Sequence, residues 1–348
     1  MRDKEVDATD FVRPAGVDID ATLTVIRVPR EWERWRLDRV VHATFPRMSR
    51  TRAQGVVSVG AYCPTGRKLR GNDRMRFGQV VLLYRPPFEE PDLPTHCPVV
   101  YEDDALLAID KPPGLPVHPT ARYHHRTVTA VLAARYPGQF LALCHRIDRE
   151  TSGVLLLAKT RSAERIVKRA LADRTTVRKH YLAITRGVIA PRSGRMAFSL
   201  KLDDNHRYNV KMRVADGEEG AREAATRYDV VDVRYQVDGT PRALVACELE
   251  TGRQHQIRAH LAASGTPIVG DKLYGPDDAL FGRGADGTLT EEDLALLELP
   301  RHALHAHRMT LPHPLRLGEH IDVVAQLPAD LADYWNLLAI RPMESTHP

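Results

Sequence analysis

No run of about 18 or more apolar residues occurs anywhere in the chain, so the sequence offers no helix of bilayer-spanning length. The opening Met-Arg-Asp-Lys-Glu-Val-Asp lacks the basic start and apolar stretch of a secretory signal, and a cytoplasmic protein is expected. The four cysteines, Cys63, Cys97, Cys144 and Cys247, form no C-x-x-C pair. That argues against a thiolate zinc site or a redox motif and leaves reduced thiols as the expectation. No glycine-rich phosphate loop, dinucleotide fingerprint or internal repeat is found. His302, His305, His307 and His313 crowd one segment, but no cysteine or carboxylate cluster lies in register with them. Neither a metal nor a cofactor is expected.

What the chain does contain is length and positive charge. At 348 residues it exceeds the usual span of one domain, and two folded units are expected. The net charge of +5 is unevenly spread: residues 30–85 hold thirteen Lys/Arg against four acids, and residues 140–186 hold eleven against four. Both read as phosphate-facing surface, although either alone could be a solvated face. Residues 276–298 reverse the sign, with seven acids against Arg283, and read as an acidic surface insertion facing away from a polyanion.

Periodicity divides the chain further. Residues 1–28 read as a loosely held tail with one short strand near 23–28. Two short helices follow from Trp35, the second N-capped by Ser49, and a β-branched run begins at Gly78 and ends at Pro86-Pro87. Residues 29–86 form one domain, the proline-rich residues 87–98 a linker, and residues 99–348 a second domain. In the second, strands are expected near residues 99–101, 106–110, 153–159, 179–186, 224–233 and 243–250. Helices are expected near 127–135, 162–172 and 253–263. Mixed elements without βαβ regularity predict an α+β fold.

Asp148 stands between Arg146 and Arg149, just before Thr151-Ser152-Gly153 and a buried strand. An Asp in such a loop can simply be a turn or capping residue. The later segment Thr251-Gly252-Arg253-Gln254-His255-Gln256-Ile257-Arg258 offers an alternative. On a helix His255 and Arg258 share a face, and a guanidinium presented to Asp148 would keep it ionised and nucleophilic.

Two resemblances follow from quoted residues. Arg36-Leu37-Asp38, Phe45-Pro46, Ser49-Arg50, Gly60 and the Gly78 strand resemble the RNA-binding domain named after ribosomal small-subunit protein S-four, although Thr65-Gly66 and Gly78-Gln79 depart from its Asn-Gly and Gly-Asp. The resemblance implies a small basic α/β module in which Arg36 and Arg50 face RNA. From about residue 99 to 330 the chain resembles the RluA/RluD type of uridine-to-pseudouridine synthase. His145-Arg146-Ile147-Asp148 with Thr151-Ser152-Gly153 matches its catalytic motif, Lys179-His180-Tyr181 its tyrosine motif, and Gly252-Arg253 through Arg258 its arginine motif. Lys111-Pro112-Pro113-Gly114, Gly270-Asp271 with Tyr274-Gly275, Leu304-His305-Ala306 and His313-Pro314 match as well.

This second resemblance implies a pseudouridine synthase fold, with a central mixed, largely antiparallel sheet flanked by helices, and a cofactor-free isomerase acting on RNA. Asp148 becomes the nucleophile or electrostatic partner, at ribose or base. Arg258 becomes its partner, and Tyr181 the aromatic face for a flipped uracil. Arg146 fills the gap left in the RNA stack, and His255, Gln256 and Ile257 contact substrate. A core tyrosine and a phosphate clamp remain the alternatives for Tyr181 and Arg146. His305 and His313 fall at structural positions, leaving His302 and His307 as surface residues. Large-subunit ribosomal RNA is expected as the partner, with tRNA as the alternative, and a monomer acting without a membrane. A catalytically silent RNA-binding or assembly protein would show a damaged Asp-Tyr-Arg set. An aspartate phosphohydrolase would need D-x-D and magnesium where Arg149-Glu150 stand.

Overall fold

The structure is a computed structural model that describes residues 11, 13–19, 21–45, 50–85, 90–120, 123, 125–173 and 175–340. The caps and turns expected at Pro46, Ser49 and Pro86-Pro87 lie outside them. The chain divides into two compact units, Met1–Pro91 and Asp92–Pro348.

The first unit contains β1 (Thr22–Arg27), α1 (Leu37–Thr44), α2 (Arg50–Gly60), β2 (Ala61–Tyr62) and β3 (Val80–Arg85). Its antiparallel sheet runs β1-β3-β2. β3 reads as an unbroken apolar run because both of its faces are covered. Val81 and Leu83 pack with Leu37, Val40, Val41, Ala53 and Val57 of the helices, while Leu82 and Tyr84 pack with Phe11 and Val17 on the other side. The strand expected in the tail is β1, paired with β3 from Thr22 opposite Arg85 to Arg27 opposite Val80. Residues 22–27 are therefore part of the sheet rather than loosely held, because β3 would otherwise present an unpaired edge.

The second unit contains β4 (Val99–Glu102), β5 (Leu106–Lys111), α3 (Val128–Arg135), β6 (Ala142–Leu143), β7 (Ser152–Ala158), α4 (Arg161–Asp173), β8 (Arg178–Arg186), β9 (Ser193–Met196), β10 (Leu200–Leu202), β11 (Met212–Val214), β12 (Thr226–Tyr235), β13 (Pro241–Leu249), α5 (Gln256–Ala263), α6 (Ala279–Asp286), α7 (Glu291–Leu297), β14 (Leu304–Pro312), β15 (His320–Val324) and α8 (Ala329–Leu337). The main sheet runs β4-β5-β7-β14-β8-β13-β12-β9, with β15 on β14 and β6 on β7, and β10 pairs β11 apart from it. Only β7 and β14 run parallel among these strand pairings, so the α+β fold with a largely antiparallel sheet is borne out.

All seven residues of β7 are buried because helices cover both faces. Val154, Leu156 and Ala158 meet Ala163 and Val167 of α4, and Leu155 and Leu157 meet Val128 and Leu132 of α3. Thr127 caps α3 by accepting from the Ala130 amide at 3.2 Å.

Three expectations change. The helix expected from residue 253 begins at Gln256, and His255 caps it with φ 54° rather than sharing a helical face with Arg258. The cause is the Gln256 side chain, whose Oε1 accepts from Thr251 Oγ1 at 2.6 Å and the Arg253 amide at 3.0 Å, curling residues 251–255 into a turn. The acidic segment folds into α6 and α7 with Leu280 and Leu297 fully buried, and several of its acids are paired inward. Asp278 meets His206 at 2.6 Å, Arg207 at 2.7 Å and Lys211 at 3.1 Å, and Glu298 meets Arg186 and Arg242 at 2.8 Å each. It is thus a packed helical pair whose outer side stays acidic, with Asp277, Asp286, Glu291 and Glu292 exposed. Finally His302 is buried, not at the surface, because its ring fills the space under the Asp148 loop.

Candidate active site

Strand register sets the frame of the site. Ala306 on β14 stands opposite Gly153 of β7 on one side and Tyr181 of β8 on the other, so three strands align the Asp148 loop with the tyrosine. Gly153 has φ 108°, and a Cβ there would lie 2.2 Å from the Ala306 carbonyl oxygen. Only glycine lets β7 approach β14 this closely.

The loop before β7 is tied down along its length. Lys111 is fully buried, and its ammonium donates to the carbonyls of Pro112 at 2.8 Å, Leu115 at 3.0 Å and Arg149 at 2.9 Å. Burial, with the charge of Arg301 after it, pulls this ammonium down to about 7. Thr151 Oγ1 lies 2.8 Å from His302 Nε2, Ser152 Oγ 3.0 Å from His305 Nδ1, and Glu150 accepts from Lys272 at 2.9 and 3.0 Å. Asp148 therefore projects from a fixed backbone.

Its carboxylate meets Arg258, whose Nη1 donates to Oδ2 at 2.9 Å. The same guanidinium donates through Nε and Nη2 to both oxygens of the fully buried Asp271, at 2.7 and 2.9 Å. Asp271 in turn accepts the amides of Leu273 at 2.9 Å and Tyr274 at 3.0 Å. A buried guanidinium is thus fixed in the plane of one carboxylate and offers its remaining corner to another. Burial opposes ionisation of Asp148, yet the facing His255 and Arg258 outweigh it and bring its carboxyl down to about 2. His255, with Nε2 at 3.8 Å from Asp148, is itself held at about 4 by burial first and then by Arg258. At neutral pH the charged neighbour of Asp148 is accordingly Arg258.

Asp148, Tyr181, Arg258 and His255 line one cavity of about 610 Å³, together with Arg146, Lys168, Lys179 and Arg253. That volume suits a nucleotide-sized ligand. Tyr181 is buried, and burial first, then the charge of Asp148, raises its hydroxyl so that it stays protonated. The arrangement offers an ionised, largely desolvated carboxylate, an aromatic wall and a basic mouth. It can attack or stabilise an electron-poor carbon of a planar, phosphate-bearing substrate.

The residues expected here separate into groups. Arg146 is exposed at the mouth. Ile257 is in the core and contributes cavity wall. Gln256 is spent inside the fold: besides the two bonds to its oxygen, its amide nitrogen donates to Ala225 O and Thr226 Oγ1, both at 2.9 Å, which leaves it no donor for a substrate. Arg36 and Arg50 belong to the other unit, where Arg36 pairs with Asp38 at 2.7 Å. The roles of Asp271, Lys111 and His302 escaped the sequence. Lys111 and Asp271 were matched to family motifs without a role, and Asp271 also stands out as an acid closing the apolar run Pro267-Ile268-Val269-Gly270.

Comparison with known proteins meets this geometry. A profile of the family described as RNA pseudouridylate synthase matches residues 105–263, which hold Asp148, Tyr181 and Arg258. A protein of Xanthomonas campestris named ribosomal large subunit pseudouridine synthase D is 36% identical over 322 residues, covering 90% of this chain and 92% of the relative. The chain belongs to the RluA/RluD-type family of RNA pseudouridine synthases. A Neisseria meningitidis protein of the same name is 32% identical over 348 residues, covering 97% of this chain and 86% of its own length. Among solved structures, human RNA pseudouridylate synthase domain containing 4 is 29% identical with a TM-score of 0.52, covering 70% of this chain and 94% of that one. Human RNA pseudouridylate synthase domain containing 1 shares the fold with a TM-score of 0.57 at 24% identity, covering 74% and 94%. As a pseudouridine synthase the chain is an isomerase that acts on uridine within RNA.

Proposed function

We propose that this synthase modifies chosen uridines of large-subunit ribosomal RNA and that Asp148 is the carboxylate at the reacting centre. The observation that carries the site assignment is the single guanidinium of Arg258 bridging Asp148 and the buried Asp271, which keeps Asp148 ionised inside a nucleotide-sized cavity. The substrate reading rests on the ribosomal names of relatives that align along 90% and 97% of this chain.

Isomerisation breaks the bond from uracil N1 to the ribose, turns the base, and joins C5 to the same ribose carbon. The proton leaving C5 is matched by one gained at N1, so no electrons or groups are exchanged. The base is out of reach in a stack, so the nucleotide is flipped out at a cost of a few kcal/mol. Asp148 then faces the ribose carbon or the uracil ring, and either route needs a charged, desolvated carboxylate there. Tyr181 supplies a face for the flipped uracil, and its protonated hydroxyl can give a proton before it takes one. Arg146, exposed at the mouth, fills the space the base leaves. The first unit serves as an S-four-like RNA-binding module, supported by its two short helices, its small sheet and its exposed arginines.

Carbodiimide-dependent reverse-transcription stops, mapped in ribosomal RNA and tRNA from cells lacking the protein, test the reading. Loss of one or more stops in large-subunit RNA is expected, restored by the wild-type chain and not by Asp148→Ala. Stops lost only from tRNA would overturn the substrate assignment, and full restoration by Asp148→Ala would overturn the role of Asp148.

A further inference from the structure

We propose that Phe77 and the arginines around it form a stacking site for one unpaired nucleotide of the RNA, within the first unit and separate from the Asp148 cavity. The inference rests on reading that unit as an RNA-binding module. Phe77 is 60% exposed and, among the described residues, belongs to neither hydrophobic cluster of the unit, whereas the neighbouring Met75 is 1% exposed and fills the core. The ring borders an open groove of about 700 Å³ whose other walls include Arg67, Arg74 and Arg76. The guanidinium of Arg30 stands 6.0 Å from its centroid. Asp73 is the acid in that lining, and it is engaged in accepting the Arg70 amide at 2.8 Å.

The segment that presents the ring is held at nearly every residue. The Leu37 amide donates to Asp73 O and the Met75 amide to Trp35 O, both at 2.9 Å, while the Arg34 amide donates to Met75 O at 2.8 Å. Arg76 N donates to Gln79 Oε1 at 3.0 Å, and Gly78 N donates to Val28 O at 2.9 Å. Phe77 therefore points outward from a stiff backbone, not from a floppy loop that could fold the ring away. A planar apolar face with several guanidiniums around it fits a base on the ring and its phosphates on the arginines. A duplex hides its base faces, and a bare phosphate has no use for the ring. The fitting ligand is a nucleotide in a loop, bulge or single strand.

The test uses the full chain, with Phe77→Ala, Phe77→Leu and Phe77→Trp compared for binding a short single-stranded RNA carrying 2-aminopurine and the same sequence as a duplex. Phe77→Ala is expected to weaken single-strand binding about tenfold and to lose the quenching of 2-aminopurine. Phe77→Trp should retain both, and Phe77→Leu should restore neither. On the modified RNA the loss should enter KM with kcat unchanged. If Phe77→Ala destabilises the chain, the Leu and Trp pair decides on its own, because both fill the site and only one is planar. Unchanged affinity in Phe77→Ala, full rescue by Phe77→Leu, or equal sensitivity of the duplex each overturns the stacking site; the second would point to a protein contact. Arg50→Glu with Arg70→Glu probes the underlying reading. If that pair leaves RNA affinity unchanged, the module reading fails; if it weakens binding while Phe77→Ala does not, only the stacking site fails.

Discussion

Arg258 lies 7% exposed between two carboxylates, whereas Arg67, Arg74 and Arg76 stand exposed around one groove with a single, already engaged acid among them. The same side chain does different physical work in the two units. Buried and doubly paired, the guanidinium is held in place and poorly screened, and it favours the ionised form of both neighbours. Exposed and without such pairing, guanidiniums act over a Debye length on any polyanion and weaken as salt is added. Chemistry should therefore be insensitive to salt once substrate is bound, and affinity should not.

The largest expected effect breaks the buried side of that contrast at its centre. Asp148→Ala should lower turnover by at least about 10⁴-fold, read as pseudouridine formed per enzyme, while RNA affinity by filter binding stays within about threefold. Next, Arg258→Met should cost about 3–5 kcal/mol of stability in urea unfolding, because Asp148 and Asp271 are left without their cation. A cost near zero would show that the two carboxylates tolerate each other and that Arg258 is not what holds the site together.

A smaller effect concerns pH. Half-buried His145 and buried His302 are held at about 3, and His255 and His305 at about 4, in each case by desolvation first. The unfolded chain binds these protons near 6.5 and the folded chain does not, so stability rises with pH between about 4 and 6.5 and is lost as the protein is acidified through that window. Melting temperature should fall well before the carboxylates titrate. His302→Gln, which can still bond Thr151, should flatten the slope; an unchanged slope would exclude His302 as a contributor. Smallest of all, Arg74→Ala or Arg76→Ala should raise the KM for RNA only a few-fold and reduce the steepness of its salt dependence by about one ion each. Neither should alter kcat.

Much of this was legible from the chain. The continuous apolar run of β7 announced a strand covered on both faces, and Asp148, Tyr181 and Arg258 were identified in three distant segments that the sheet brings together. The register that aligns them was not legible, since it depends on β14 entering between β7 and β8. Nor was the fate of Gln256. Its motif position resembled a substrate contact, but its four partners include Ala225 and Thr226, some thirty residues earlier at the start of β12, and only the fold reveals that they exhaust its amide. His302 was misplaced for a similar reason. A histidine in a crowded polar segment looks solvated until Thr151 is found above it.

The position of β14 also governs when the enzyme can become active as it is made. β7 and β8 are separated only by α4 in the chain, yet they are not neighbours in the sheet; the strand between them begins at Leu304. A growing chain that has not yet delivered that strand holds two half-sheets with open edges, and Gly153 and Tyr181 have no common partner. Asp148 and Arg258 can both have left the ribosome and still lack the frame that sets them face to face. A chain halted near residue 300 is expected to be inactive and prone to pair its open edges with another copy, whatever the state of its catalytic residues. Completion of the site is thus timed by the synthesis of β14 rather than by the synthesis of the residues that react.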